Sequence, residues 1–195
     1  MIKSVFTHYQ GDLAGDEMSK PRFAVLVLII LAAAASRLIP HPPNIASITA
    51  VALFGGAYLN DKRLALIIPL AALLFSDLIL GFYSHMEIVY GSFLLVACLG
   101  FWLQRRRSAL RIAGAALASS VLFFVITNFG VWAFESLYPK TAAGLLACYV
   151  AAIPFFQNTL VGDALYTAVL FGGFALVEKL FPILRERDLR HPQSA

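Results

Sequence analysis

Residues 88–134 read IVYGSFLLVACLGFWL, then QRRRS, then ALRIAGAALASSVLFFVITNFGVWAF. Two apolar blocks flank an arginine run. The second block, 109–134, is longer than the roughly 20 apolar residues a bilayer crossing requires. Its apolar residues run continuously instead of recurring on one face, as those of a soluble helix would. Arg105, Arg106, Arg107 and Arg111 then occupy the place of a short cytoplasmic loop between two crossings.

The rest of the chain repeats this pattern. Of 195 residues, 60% are hydrophobic and 13% charged, and the mean hydropathy is +0.79, too apolar for a soluble domain. Further apolar blocks fall near 23–39, 45–59, 64–82 and 157–181, with a shorter one at 142–156. The expected fold is all-α and polytopic, with six transmembrane helices. The block at 142–156, ending near Pro154, is expected to be a short re-entrant or interfacial helix on the outer side. The second block, about 15 residues after the Pro-rich stretch Ile39–Asn44, is expected to be partly unwound or oblique.

With the N-terminus inside, the charge falls on one side. Lys3, Lys20, Arg22, Lys62, Arg63, Arg105, Arg106, Arg107, Arg111, Lys179, Arg185, Arg187 and Arg190 face the cytoplasm. Only Arg37 and Lys140 face outward, which predicts an inner-membrane protein with both termini cytoplasmic. Three segments are expected: a disordered tail over 1–22, the membrane domain over 23–181, and a basic tail over 182–195. Met18-Ser-Lys-Pro-Arg reads as a natural start, with residues 1–17 either disordered or an over-extended beginning. Ala32–Ser36 has the small residues of a signal cleavage site, but Asp12, Asp16 and Glu17 suit a signal poorly. The net charge of +4 sits in loops, so nucleic acid is not an expected partner.

Polar residues within the blocks gather toward the outer side. Asp77 shares a helical face with Gly81 and Ser84; Asn128, Trp132 and Glu135 follow at spacings of four and three; Asn158, Asp163 and Tyr166 lie along the last block. Arg37, His41 and Asn44 lie in the first external loop. A carboxylate inside a span costs about 2.5–3.5 kcal/mol on insertion scales. Asp77 and Asp163 therefore need partners or water; capping or pairing with Arg37 is the plain alternative. A shared depth points to a water-accessible pocket, apolar-walled with a few placed polar groups. The expected solute ligands are Arg37, His41, Asn44, Asp77, Asn128, Trp132, Asn158, Asp163 and Tyr166.

Several chemistries are missing. There is no Gly-x-x-x-x-Gly-Lys phosphate loop, no His-Glu-x-x-His, and no Gly-x-Ser-x-Gly turn. No cofactor, metal site or enzymatic activity is expected. Cys98 and Cys148 read as buried thiols, although Cys148 and His41 would be the ligands if the solute carried a metal. Small residues at Gly55-Gly56, Gly114 and Ala118, Ala115 and Ser119, and Ala168 and Gly172 suggest close helix packing.

The strings Arg37-Leu-Ile-Pro-His-Pro-Pro-Asn44, Ala52-Leu-Phe-Gly-Gly-Ala57, Thr127-Asn-Phe-Gly-Val-Trp132 and Pro154-Phe-Phe-Gln-Asn158 resemble those of an uncharacterised family of predicted membrane transport proteins. That family is distantly similar to the S components of energy-coupling-factor vitamin transporters. The resemblance implies a six-helix protein with an outward pocket closed by loops, and an energy-coupling membrane protein with ATPases as partner. The small residues Ala32–Ser36 lie toward the outer half of the first helix, where they depart from an S component's docking face. The expected function is uptake of a small, vitamin-like or amphipathic solute. The alternatives are a membrane enzyme acting on a lipid-like substrate, or an assembly subunit.

Overall fold

The computed structural model describes residues 18–40, 45 and 47–186. His41 and Asn44, like residues 1–17 and 187–195, lie outside the described residues, whereas 18–22 and 182–186 of the expected tails are ordered against the bundle, with Arg22 buried. Local signals set the helix starts. Pro21 stands in the first turn of α1 (Lys20–Ala35), which runs on into a short 3-10 turn, Ser36–Leu38. The Asp61 carboxylate accepts from the backbone N–H groups of Arg63 and Leu64 (2.7 and 3.2 Å) to cap α3 (Lys62–Leu80). The Ser108 hydroxyl caps α5 (Ala109–Phe134), and Thr141 caps α6 (Ala142–Thr167). Between them lie α2 (Ile48–Tyr58) and α4 (Met86–Leu103).

Five stretches are long and apolar enough to cross a membrane: Lys20–Leu38, Lys62–Leu80, Met86–Leu103, Ala109–Phe134 and Ala142–Leu180. Leu28, Phe75, Leu117 and Val161 are among the large apolar side chains left on the outer surface, as a lipid-facing bundle requires. This is the architecture of a polytopic membrane protein.

The sixth helix, α2, is the core of the bundle. Its 11 residues rise only about 16 Å, half the hydrocarbon thickness. Every residue from Thr49 to Tyr58 is buried. Phe54 meets Phe171 and Phe174 edge-on at 5.3 and 5.9 Å. Two close approaches fix α2. Gly55 leaves room for the ring of Pro69, which α3 carries in its interior. Gly56 faces Gly100 of α4, backbone against backbone. A Cβ at Gly100 would lie 2.6 Å from the Leu53 carbonyl oxygen and 2.7 Å from the Gly56 Cα. Because neither neighbour is a side chain that can turn away, Gly100→Ala is expected to cost at least the ~1–3 kcal/mol typical of overpacking. A lower thermal midpoint of the detergent-purified variant would show it.

The block at 142–156 is not a separate re-entrant helix. α6 passes through Pro154 without a break, continues through a π turn at Ala168–Gly172, and joins α7 (Gly173–Leu180). The lost backbone donor at Pro154 is a single bond in a long helix whose other backbone bonds remain, so the helix persists. The 39 residues of Ala142–Leu180 form about 58 Å of helix, more than one crossing needs. The face proposed for Asp77, Gly81 and Ser84 also ends early. α3 stops at Leu80, Gly81 takes φ +96°, and residues 81–85 form a loop that closes on His85 at φ 58°.

Contacts define two ends. At one, Arg22 pairs with Glu178, donates to the Leu184 carbonyl and lies over the Phe174 ring. Arg107 there donates to the Ala57 carbonyl (3.0 Å) and pairs with Glu186. At the other end lie Arg37, Asp77, Tyr83 and the α5–α6 turn. Of the twelve Lys and Arg residues described, only Arg37 and Lys140 belong to the second end.

Candidate functional site

Among the described residues, two of the cavities open toward opposite ends of the bundle. The cavity toward Arg37 encloses about 410 Å³. Its walls are the aromatic face of α5 and α6 (Phe123, Phe124, Phe155 and Phe156), with Thr127, Asn128 and Thr159 among them. Arg37 and Tyr83 stand at its rim, and Ile48 and Thr49, the first turn of α2, enter it from the core. The second cavity, about 700 Å³, lies between α5 and the continuous α6–α7 helix, with Tyr58 and Arg107 at its far end. Ala113, Ala116, Ala164, Ala168, Gly172 and Ala175 line it. The small residues at 168 and 172 thus leave space instead of bringing helices into contact. Gly55-Gly56 does pack closely, whereas nothing lies within 4 Å of a Cβ placed on Gly114.

One residue lines both cavities through a charged side chain: Asp163. It is 4% exposed. Its Oδ1 accepts from the hydroxyl of Thr49, and its Oδ2 accepts from Ser120 Oγ at 2.6 Å. No cation is paired with it among the described residues. Thr49 stands at the start of a half-length helix, where unpaired N–H groups give the helix its positive end.

Asp77 is differently placed. Arg37 Nη2 lies 2.8 Å from Asp77 Oδ1, and Arg37 Nη1 donates to Ser76 Oγ. The Tyr90 hydroxyl donates to Asp77 Oδ2 at 2.9 Å. Asp77 is therefore a strut joining α1, α3 and α4, and it lies outside the cavity lining. Its charge reaches the loop above. Burial, aided by the Asp77 carboxylate, pushes the Tyr83 phenol up to about 12, so Tyr83 stays a neutral hydrogen-bonding group at the rim at ordinary pH.

The expected ligand set divides accordingly. Arg37, Asn128 and Asp163 line the Arg37-end cavity. Asn128 also ties its side chain to the Phe124 carbonyl (2.8 Å) and accepts from the Cys148 thiol at 3.4 Å through its own carbonyl. Trp132 does not enter the cavity: its indole N–H donates to the Pro139 carbonyl (2.9 Å), and the Lys140 ammonium lies over its ring and donates to its carbonyl. It fastens the α5–α6 turn. Tyr166 meets Ser36 Oγ at 2.9 Å, locking α6 to the end of α1. Asn158 lines neither cavity. Thr49 and Ser120 were not among the expected ligands. Their signal was present as hydroxyls within apolar blocks, Ser120 directly after Ser119, but their common target depends on helix rotation.

Fold and site together define a multi-pass α-helical membrane protein with a buried carboxylate shared by two cavities. Residues 17–184 match the family described as a family of unknown function (DUF6580), and the chain belongs to that family. No curated protein matches it, and no solved structure does.

Proposed function

We propose that this protein is a membrane transport protein that binds a small amphipathic solute in the Arg37-end cavity and moves it toward the Arg107 end. The observation that carries the reading is Asp163, buried within a span, held by two neutral hydroxyls and lining both cavities. A structural carboxylate would be paired, as Asp77 is. An intramembrane carboxylate without a cation partner is costly and marks a binding or transfer site by default. The half-length α2, opening its N-terminal turn into the cavity beside Asp163, matches the way broken helices serve solute sites at the bilayer midplane. Phe123, Phe124, Phe155 and Phe156 supply the apolar walls, and Arg37 and Asn128 supply the placed polar groups.

We read the Arg107 end, which gathers ten of the twelve described cations, as the cytoplasmic one on the positive-inside bias, and the Arg37 end as the outer one. The solute would be taken up. No solved structure matches the chain, so the distant likeness to S components lends this reading no support, and the reading does not require a coupling partner.

Native mass spectrometry of the full chain, released gently from its host membrane, tests the reading. The expected result is a bound small molecule on the wild-type protein. Wild type and Asp163→Asn arriving equally bare from several mild extractions would overturn it.

A further inference from the structure

Asp163 has a feature that solute binding alone does not call for: its surroundings can satisfy it in either protonation state. Ser120 Oγ lies 2.6 Å from Asp163 Oδ2 and also 3.0 Å from the Ala116 carbonyl oxygen. A hydroxyl has one proton to donate and two lone pairs. With the carboxylate ionised, Ser120 donates to Oδ2. When a proton adds to Oδ2, the Ser120 hydroxyl turns to donate to Ala116 and accepts from the new O–H. No atom need move far, and Thr49 keeps its bond to Oδ1.

A second observation lies one turn along α6. Thr167 is 7% exposed and lines the Arg107-end cavity, yet its Oγ1 has no hydrogen-bond partner among the described residues. A buried hydroxyl left unpaired costs free energy unless something transient, such as water or a moving proton, completes it. The remaining charged or titratable groups on the two cavities are Arg37 and Tyr83 at one end and Tyr58 and Arg107 at the other. Arg37 is engaged by Asp77 and Arg107 by Glu186, so neither neutralises Asp163. Calcium or magnesium would want about six or more oxygens, and zinc about four His, Cys or carboxylate ligands, which the described residues do not gather here. Two carboxylate oxygens and three hydroxyls fall short, whereas a proton needs only one lone pair.

We propose that Asp163 is a proton-binding site reached from both cavities, through which proton movement is coupled to solute transfer. The proposal rests on the transport reading for its purpose, but the site can be tested without any solute. The full-length protein is sealed into phospholipid vesicles and treated with dicyclohexylcarbodiimide, which attacks protonated carboxyl groups in apolar surroundings. The pH is set independently on each side, and the adduct is mapped by peptide mass spectrometry.

The expected result is an adduct on Asp163 that grows when either side is acidified and is unchanged by Na⁺ at constant pH. Asp163→Glu should keep the two-sided response, and Asp163→Asn should lose the adduct. A response to one side only, no response to pH, or suppression by Na⁺ would each overturn the proposal. None of these outcomes depends on a variant folding, because the wild-type response decides. A bare protein in native mass spectrometry with intact two-sided labelling would remove the solute reading and leave the proton site. The reverse pattern would remove the proton site alone.

Discussion

Asp163→Asn is expected to leave the protein at least as stable as the wild type and unable to retain its solute. The physical basis is the cost of the carboxylate itself. Placing Asp in a span carries about 2.5–3.5 kcal/mol on insertion scales, and here no cation offsets it: the partners are the hydroxyls of Thr49 and Ser120. Asparagine has the same shape and keeps one acceptor oxygen for one hydroxyl, while its amide finds the other hydroxyl's lone pairs. The buried charge disappears and the packing stays. A thermal midpoint equal to or above that of the wild type, together with loss of the bound mass, is the signature of a residue kept for function at a cost to stability. A midpoint lowered by several degrees with the bound molecule retained would make Asp163 a structural group.

Asp77→Ala is expected to do the opposite. Asp77 is fully buried and holds Arg37, itself only 10% exposed at its side chain. Removing the acid strands a guanidinium among apolar helices, and breaking one partner of a buried pair costs about 3–5 kcal/mol. The Tyr90 hydroxyl loses its acceptor as well. Thermal unfolding in detergent, followed by size-exclusion monodispersity, should show a large loss. Asp77→Leu combined with Arg37→Met should recover much of it, because the pair's own desolvation penalty goes with the pair. A mild single variant and an equally mild double variant would mean that the ion pair contributes little. The two carboxylates thus make a paired test: same chemistry, same kind of helix, opposite effects on stability.

For α3, α4 and α5 the apolar blocks alone were enough to read the spans. Blocks predicted at 64–82, 88–103 and 109–134 became helices at Lys62–Leu80, Met86–Leu103 and Ala109–Phe134, because crossing a bilayer is a length requirement that sequence states directly. The short second block also announced itself, and α2 is indeed 11 residues long. Pro154 misled: a proline reads as a stop where water competes for the backbone, but within a packed membrane helix it costs one bond and the helix goes on. Asp77 and Arg37 were read both as a pair and as solute ligands, and the 2.8 Å contact realises the pair. Trp132 and Tyr166 shared a helical face with polar neighbours, yet each spends its polar atom on a turn or an adjacent helix.

The sequence alone was sufficient to read a bundle of apolar helices, to place the bounds of α3, α4 and α5 within a few residues, and to set most of the described cations at one end. These follow from hydrophobic length, capping residues and charge placement, all local in the chain. Only the tertiary structure decided which carboxylate is a strut and which lines two cavities. That distinction depends on how helices are rotated about their axes. Thr49, Ser120 and Asp163 are 43 and 114 positions apart along the chain in the contacts they make, and no periodicity within one helix records which face meets another.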